Sequence, residues 1–381
     1  MDFAWTPEQQ ELRKRIIRFA EKELTHSVYQ HDRDGTFPYD SWQKCADFGI
    51  LGGNVPEAYG GSGRDILTNV MIMEAIGYGC RDNGFTLALN AQLWAVQHPI
   101  LEFASEEQKQ AFLPELVAGR LIGAFAITEP NAGSDAFSME TSAVREGDAY
   151  LLNGRKHYIG FSPIADFFIV FARTDPKAGA WGISAFLVDA KTEGLTRGAN
   201  SEKMGTRTMP MGEVMFKDCR IPVSSRLGGE GVGMSLFNDT MDWERSFILA
   251  GHVGAMAKQL DICIDYAKTR KQFGKAIGSY QSVSNRIADM RVRLETSRLL
   301  MYQAASLKDK GEKAALEARM ANLHIAESFL ASSLDAIRIH GGKGYLSEFE
   351  IERDLRDSVG GVIYSGTSDI QRNLISRILG L

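Results

Sequence analysis

Four segments of the chain combine residue types that could do chemistry. They are AITEPNAGSD (126–135), MDWERSFILAG (241–251), TRKQFGKAIGSYQ (269–281) and IYSGTSDIQR (363–372). The first offers hydroxyl, carboxylate and amide groups around small residues that allow close backbone approach. The third places a cation, an aromatic ring and an amide in Arg270, Phe273 and Gln281, which suits a phosphate and a planar ring. An ordinary polar loop and a charged helix end have the same composition, so both interpretations stay open here.

The second segment carries a carboxylate on an apolar stripe. Phe237, Met241, Glu244 and Ile248 are spaced by four, three and four residues, which predicts one shared helix face. An unpaired buried charge is costly, and desolvation would raise the pKa of Glu244 above its ordinary value. A raised pKa suits proton abstraction near neutral pH. A surface pair of Glu244 with Arg245, or an ion pair between helices, is the alternative.

Several common enzyme classes lack their motifs in this sequence. There is no P-loop, no strand-borne GxGxxG, no HExxH and no GxSxG. The 7 histidines are scattered, and the 4 cysteines are far apart and form no CxxC. We therefore expect no Rossmann domain, no metal site, no disulfide framework and no serine triad.

Composition favours a folded protein with a sizeable core. The chain has 381 residues, 44% of them hydrophobic and 24% charged, with a net charge of −5. The acidic balance gives no footprint for nucleic acid or for an anionic membrane surface. The N-terminal MDFAWTPEQQELRKRI lacks an apolar signal region, and no stretch approaches the roughly 18 apolar residues of a membrane span. We expect a cytoplasmic protein.

The elements that must position these segments fall into three parts. Residues 1–122 show helical periodicity, with Thr6 as the cap of the first helix. Residues 123–228 contain short runs rich in β-branched and aromatic residues, which predict a small antiparallel β domain. Residues 229–381 return to long amphipathic helices. The order helix, strand, helix predicts an α+β fold.

Taken together and in this order, the segments resemble the acyl-CoA dehydrogenase family of flavoproteins. AITEPNAGSD matches the family's Ser/Thr-Glu-Pro-x-Ala-Gly-Ser-Asp signature, RKQFGKAIGSYQ its Arg-x-x-Phe-Gly segment with a following Gln, and YSGTSDIQR its closing Gly-Thr-Ser-x-Ile-Gln-Arg. The resemblance covers the whole chain. It implies an N-terminal helical domain, a middle antiparallel β domain and a C-terminal helical bundle, with FAD between the β domain and the C-terminal helices. It also implies a homotetramer in which a second subunit completes each FAD site.

The resemblance assigns roles residue by residue. Thr128 would hydrogen-bond the isoalloxazine, and Arg270, Phe273 and Gln281 would hold the ADP portion across the dimer. The full set of implied cofactor contacts is Phe125, Ile127, Thr128, Tyr158, Gly160, Arg270, Phe273, Gln281, Arg338, Gly342, Thr367 and Asp369. The implied substrate contacts are Ser134, Asp242, Arg245 and Ser365, with the Ser365 backbone N–H polarising a thioester carbonyl.

Three positions depart from the family pattern. Ser365 stands where the usual catalytic Glu precedes the last motif, and a neutral hydroxyl is a poor base for a carbon acid. Gly160 lacks a hydroxyl near flavin N5, which could open space for oxygen. Arg338 replaces a Gln beside the pyrophosphate, where it could pair with phosphate. One branch, which includes isovaleryl-CoA dehydrogenases, places the base directly before an Arg on a helix, as in Glu244 and Arg245 here. The resemblance therefore favours Glu244 as the base.

Other stretches resemble a narrower branch. EAIGYGCRDNGFTLALNAQLWA and GKAIGSYQSVSNRIADMRVRLE, together with MDWE, are similar to flavoproteins that oxidise prolyl groups on peptidyl or acyl carrier proteins in natural-product biosynthesis. The first alternative is a short- or branched-chain acyl-CoA dehydrogenase of catabolism. A flavin monooxygenase or nitroalkane oxidase on the same fold, or a non-catalytic flavin-binding protein, is the second. The electron acceptor would be oxygen or an electron-transfer flavoprotein.

Overall fold

A computed structural model describes residues 5–381 of the chain. The helices before the sheet are α1 (Pro7–Glu23), α2 (Val28–Asp34), α3 (Tyr39–Asp47), α4 (Ile66–Cys80), α5 (Asn83–Ala91), α6 (His98–Phe103) and α7 (Glu106–Val117). The helices after it are α8 (Gly233–Phe247), α9 (Ala250–Thr269), α10 (Gln281–Asp309), α11 (Ala315–His340), α12 (Gly342–Tyr345), α13 (Ile351–Gly361) and α14 (Ser368–Ile378). A π-helical turn, Gln92–Gln97, joins α5 to α6.

Local sequence explains where helices begin. Thr6 caps α1: its hydroxyl accepts from the Gln9 backbone N–H while the Gln9 side chain accepts from the Thr6 N–H. Ser105 and Gln108 form the same reciprocal pair at the start of α7. Each pair satisfies two backbone donors that a helix terminus leaves free. The predicted Thr6 cap is confirmed.

The strands are β1 (Gly123–Ala126), β2 (Ser142–Glu146), β3 (Ala149–Gly160), β4 (Phe167–Arg173), β5 (Ile183–Asp189), β6 (Leu195–Arg197), β7 (Met211–Pro222), β8 (Arg226–Leu227), β9 (Lys271–Gln272) and β10 (Lys275–Ala276). The main sheet has the order β6-β7-β3-β2-β4-β5-β8, with β1 beside β4. Most pairs are antiparallel as expected, but β1 and β2 both pair with β4 in parallel. The β2–β3 hairpin connects β1 to β4 along the chain, and β4 then runs in the same direction as β1. Parallel neighbours need such a long crossover, which local turn signals do not reveal.

The C-terminal part is not purely helical. Strands β9 and β10 form a short hairpin within TRKQFGKAIGSYQ, with Phe273 and Gly274 at its turn. Both residues have positive φ, 50° and 81°, as a two-residue hairpin turn requires. Because Phe is disfavoured at such an angle, the sequence did not predict this turn.

Close helix packing is set by glycine on the two central helices α4 and α9. A Cβ on Gly77 would lie 2.0 Å from the Gly251 carbonyl oxygen, and one on Gly254 would lie 1.9 Å from the Glu74 carbonyl oxygen. No other residue fits at this crossing. The two helices therefore form a tightly packed centre of the larger hydrophobic core.

One helical stretch is longer and more apolar than the sequence analysis allowed. Residues 233–269, which comprise α8 and α9, are long and apolar enough to cross a membrane by length and composition. However, 78% of the apolar window is buried inside the protein. The expectation that no stretch approaches this length was wrong, and burial identifies these helices as core helices.

Asp357 on α13 connects the three parts of the chain. Its carboxylate accepts from the backbone N–H of Thr206, before β7, at 2.5 Å. It also accepts from the Asn83 side chain, on α5, at 3.0 Å. Burial raises the pKa of Asp357 from 3.8 to about 7, although the Thr206 N–H and the nearby Arg353 favour the ionised form.

We expect Asp357→Asn to reduce the pH dependence of folding stability. Because the folded chain holds this proton at higher pH than the unfolded chain, the contribution of Asp357 to the free energy of unfolding falls as pH rises from about 4 to 7. The variant should lose this decline, which is on the order of a few kcal/mol. Denaturant unfolding at several pH values measures it, with the exposed Asp289→Asn as control. Equal pH slopes for the wild type and Asp357→Asn would contradict the assignment.

Candidate active site

Glu244 lies on α8 where that helix faces both the sheet and the last loop of the chain. Met241 and Ile248 on the same face are buried, and Glu244 is half-buried. Phe237, further along this face, packs on Phe171 of β4 with ring centroids 6.2 Å apart. The predicted apolar face is therefore present, with one carboxylate in it.

The surroundings of Glu244 favour its protonated form more than water does. Burial raises the pKa of Glu244, while a hydrogen bond from Ser365 and the charge of Arg245 oppose this shift. The Ser365 hydroxyl donates to Glu244 Oε1 at 2.5 Å. A carboxylate with a raised pKa suits proton abstraction near neutral pH.

Arg245 does not form the ion pair with Glu244 that was the alternative interpretation. Among residues 5–381, no contact of 4.0 Å or less joins the two charged groups. Successive helix residues point in different directions, which explains their separation. The Arg245 Nε instead donates to the Ser365 carbonyl at 3.0 Å. Its predicted contact with substrate stays a prediction.

The loop around Ser365 is held in an unusual conformation. Ser365 has φ of +58° and Gly366 has φ of +91°. Gln371 donates to the carbonyl oxygens of both residues, at 3.2 and 3.1 Å. The Ser365 carbonyl is thus held by hydrogen bonds, whereas the Ser365 backbone N–H donates to no acceptor within residues 5–381. This leaves a donor free beside Glu244, as the predicted carbonyl contact requires.

Three of the other predicted residues of this region have structural partners. Thr367 caps α14 by accepting from the Ile370 N–H. Asp369 is exposed and lies 3.4 Å from Arg372. Asp242 forms an ion pair with Arg319 at 2.9 Å, and Ser134 is exposed on its loop. No hydrogen bond connects Ser134 or the Asp242 side chain to Glu244 in the part of the chain that the structure describes.

The segment after β1 is held to β3 through its backbone carbonyls. The Ile127 carbonyl accepts from Lys156 Nζ at 3.0 Å, and the Thr128 carbonyl accepts from the His157 backbone N–H at 2.9 Å. The hydroxyl of Thr128, which is half-buried, has no hydrogen-bond partner among the described residues. Phe125 packs on Phe171 at 5.0 Å, on the same aromatic group as Phe237 of α8. This brings the predicted flavin strand next to the helix of Glu244.

A buried ion pair that the sequence analysis missed supports that segment. Glu129 accepts from Lys156 Nζ at 2.8 Å and from the backbone N–H groups of Glu140 and Thr141. Burial lowers the pKa of Lys156 to about 8, although Glu129 opposes the shift. The two-residue period of β3 places Lys156 on the same face as the buried Tyr150 and Leu152, which could have indicated it.

Tyr158 and Gly160 lie at the end of β3. Tyr158 is 62% exposed with φ of +57°. A Cβ on Gly160 would lie 2.6 Å from the Met209 Cε. The end of the Met209 side chain therefore lies beside Gly160. Access of oxygen at this position stays a prediction.

The residues expected to hold the ADP portion lie on the surface of the single chain. Phe273 is 93% exposed at the hairpin tip. Arg270 and Gln281 are exposed, and Arg270 forms no ion pair within residues 5–381. No hydrogen bond joins any of the three to the neighbourhood of Glu244 among these residues. The structure thus separates this set from the base within one chain.

Arg338 belongs to a cluster of three arginines around one carboxylate. The buried Asp335 contacts Arg286 at 2.7 Å, Arg293 at 2.9 Å and Arg338 at 3.4 Å. Three guanidinium groups around one carboxylate leave excess positive charge, which suits a diphosphate. A Cβ on Gly342 would meet no atom within 4 Å, so the backbone there is accessible. The sequence analysis missed Arg286 and Arg293, whose seven-residue spacing on α10 places them on one helix face.

Comparison with known proteins gives consistent matches over the whole chain. Residues 6–120, 124–219 and 231–380 match the N-terminal, middle and C-terminal domains of acyl-CoA dehydrogenase. An L-prolyl-(peptidyl-carrier protein) dehydrogenase from Pseudomonas fluorescens is 43% identical over 382 residues, covering 100% of both chains. The crystal structure of the prolyl acyl carrier protein oxidase AnaB superimposes with a TM-score of 0.98 at 45% identity, covering 99% of this chain and 100% of that one. A structure of PigA with FAD and proline gives 0.97 at 40% identity and covers 100% of both chains. These matches confirm the predicted fold class.

We expect Lys156→Met to destabilise the protein by about 3–5 kcal/mol, because it leaves the Glu129 charge buried without a partner. The variant should also retain less flavin, since Lys156 holds the Ile127 carbonyl. Denaturant unfolding and the ratio of flavin to protein absorbance measure the two effects. Glu129→Gln combined with Lys156→Met should recover much of the lost stability. A single variant as stable as the wild type would contradict the role of the pair.

Proposed function

The chain belongs to the acyl-CoA dehydrogenase family, and from this premise we propose that it oxidises a prolyl group held as a thioester on an acyl or peptidyl carrier protein. The observation that carries the proposal is the half-buried Glu244 carboxylate beside the free backbone N–H of Ser365. A base next to a carbonyl-binding donor is the arrangement needed to remove a proton α to a thioester.

The cofactor is FAD, and the residues of this chain fit it. The unpartnered hydroxyl of Thr128 suits a hydrogen bond to the isoalloxazine, and the arginine cluster with the accessible Gly342 suits the diphosphate. Bound FAD supplies the oxidising equivalent by accepting the hydride that leaves the substrate β-carbon. The buried pair of Glu129 and Lys156 keeps the Thr128 segment in place.

The chain's own residues supply the remaining steps. Glu244 removes the α-proton, and the carboxylate becomes a carboxylic acid. The Ser365 N–H donates to the thioester carbonyl, which stabilises the negative charge that develops there and acidifies the α-carbon. Arg245 and Gln371 hold the Ser365 carbonyl, so this donor keeps its direction. Asp242 and Ser134 would line the channel through which the acyl group enters.

A prolyl substrate is supported by the named relatives, which carry it in their names and resemble this chain over its full length. The principal alternative is a short- or branched-chain acyl thioester of coenzyme A, as in isovaleryl-CoA dehydrogenases, where a Glu directly before an Arg has the same place. Glu244 argues against a non-catalytic flavin-binding protein, because a binding module has no need for a buried carboxylate.

We also propose that the protein is a homotetramer of the cytoplasm. The unpaired Arg270 and the exposed Phe273 form a hairpin tip that suits the FAD of a second subunit. The acceptor of the electrons is oxygen or an electron-transfer flavoprotein.

The substrate is tested by anaerobic bleaching of the flavin with prolyl-loaded carrier protein and with isovaleryl-CoA. We expect rapid bleaching with the carrier substrate and little with the coenzyme A thioester. Bleaching by isovaleryl-CoA alone would place the enzyme in catabolism and overturn the proposed substrate. The same carrier protein loaded with acetate serves as the control for binding without oxidation.

Glu244→Gln should lower the rate of flavin reduction by about 10²–10⁴-fold, because the amide cannot accept the α-proton. The amide oxygen can still accept from Ser365, so the flavin content and the melting temperature should not change. Stopped-flow absorbance under anaerobic conditions measures the rate, with Glu107→Gln, an exposed residue of α7, as control. Undiminished reduction by Glu244→Gln would remove Glu244 from the mechanism.

A further inference from the structure

We infer that the Ser365 side chain is a positioning residue for the base: its hydroxyl fixes Glu244 Oε1, so that Oε2 alone faces the substrate α-carbon. The inference rests on the proposed role of Glu244. It assigns to Ser365 a function that its backbone N–H does not cover. Ser365 stands where the family usually has its catalytic Glu. It would thus position Glu244, the base that this chain uses instead.

The two oxygens of Glu244 have different surroundings. Oε1 accepts from the Ser365 hydroxyl at 2.5 Å. Oε2 has no hydrogen-bond partner among residues 5–381, and the side chain retains accessible surface. A carboxylate held at one oxygen has a defined direction for the other, which is the geometric requirement for proton abstraction.

Ser365 is a rigid donor. Its carbonyl accepts from Arg245 and Gln371, and the Thr367 cap of α14 follows directly. The preceding Tyr364 contacts the buried His252 through its hydroxyl at 3.4 Å. With the backbone fixed at both sides, a single side-chain torsion sets the direction of the hydroxyl.

The backbone angle indicates that the hydroxyl has a use. Ser365 adopts φ of +58°, where glycine is favoured and a serine is strained. Nothing in the backbone conformation calls for a side chain here. An observed strained residue at a candidate active site points to a function of its side chain, and its hydroxyl reaches Glu244.

The hydroxyl also affects the charge of the base. Burial raises the pKa of Glu244, and the Ser365 hydrogen bond is the largest effect in the opposite direction. Donation to the ionised carboxylate favours its charged form. The charge of Arg245, the next residue on the same helix, also favours the charged form, but Arg245 contacts the Ser365 carbonyl and not the carboxylate.

Ser365→Gly tests this inference because it removes the hydroxyl and suits the backbone angle. In the holoenzyme, the ascending limb of the pH profile for flavin reduction should shift by about one unit to higher pH. At a pH below the pKa of Glu244, the rate should therefore be roughly tenfold lower than in the wild type. The melting temperature and flavin content should stay those of the wild type. Ser365→Ala removes the same hydroxyl and should give the same shift, and the exposed Ser347→Ala should give none.

Two further measurements separate positioning from a structural role. In Glu244→Gln, the added Ser365→Gly change should have no effect on the remaining rate. The titration of Glu244 itself, followed by carbon NMR of glutamate-labelled holoenzyme with Glu244→Gln for assignment, should move to higher pH in Ser365→Gly without any substrate. An unchanged titration and an unchanged pH profile would overturn the inference. If no thioester reduces the wild-type flavin, the proposed function fails, and the NMR titration still decides the role of Ser365.

Discussion

The contact between Glu244 and Ser365 is the interaction on which the site depends. It joins a helix that follows the sheet to a loop near the end of the chain, 121 residues apart. Burying a carboxylate is unfavourable unless hydrogen bonds and nearby charge compensate it. Here one hydroxyl and one guanidinium provide that compensation incompletely, which leaves a base with a raised pKa.

The rest of the fold maintains the two sides of this contact. On one side, α8 lies against the aromatic group of β1 and β4, so the base keeps a fixed distance from the predicted flavin strand. On the other side, Arg245 and Gln371 hold the Ser365 loop at angles that few residues adopt. A separate buried pair, Glu129 and Lys156, holds the cofactor segment. The last two supports consist of polar groups held by hydrogen-bond partners, which makes the arrangement specific.

Much of this could be predicted from the sequence because the signals are local. The four-and-three spacing around Glu244 and the Thr6 cap depend on residues a few positions apart, and the structure contains both. The parallel pairing of β1 with β4, the pair of Lys156 and Glu129, and the contacts of Arg286 and Arg293 with Asp335 depend on residues 27 to 49 positions apart. Periodicity can place a residue such as Lys156 on the buried face of its own strand, but it does not reveal the partner on a distant segment. The position of the Met209 side chain beside Gly160 also depends on packing between distant segments.

The central claim is that a carboxylate on α8 removes the α-proton of a thioester. It is tested most directly by the rate of flavin reduction with prolyl-carrier substrate that is deuterated at the α-carbon. We predict a primary kinetic isotope effect in the wild-type enzyme, because the bond from carbon to the α-hydrogen breaks during reduction. Equal rates for the two substrates in single-turnover experiments, with the flavin fully reduced in both, would contradict the account.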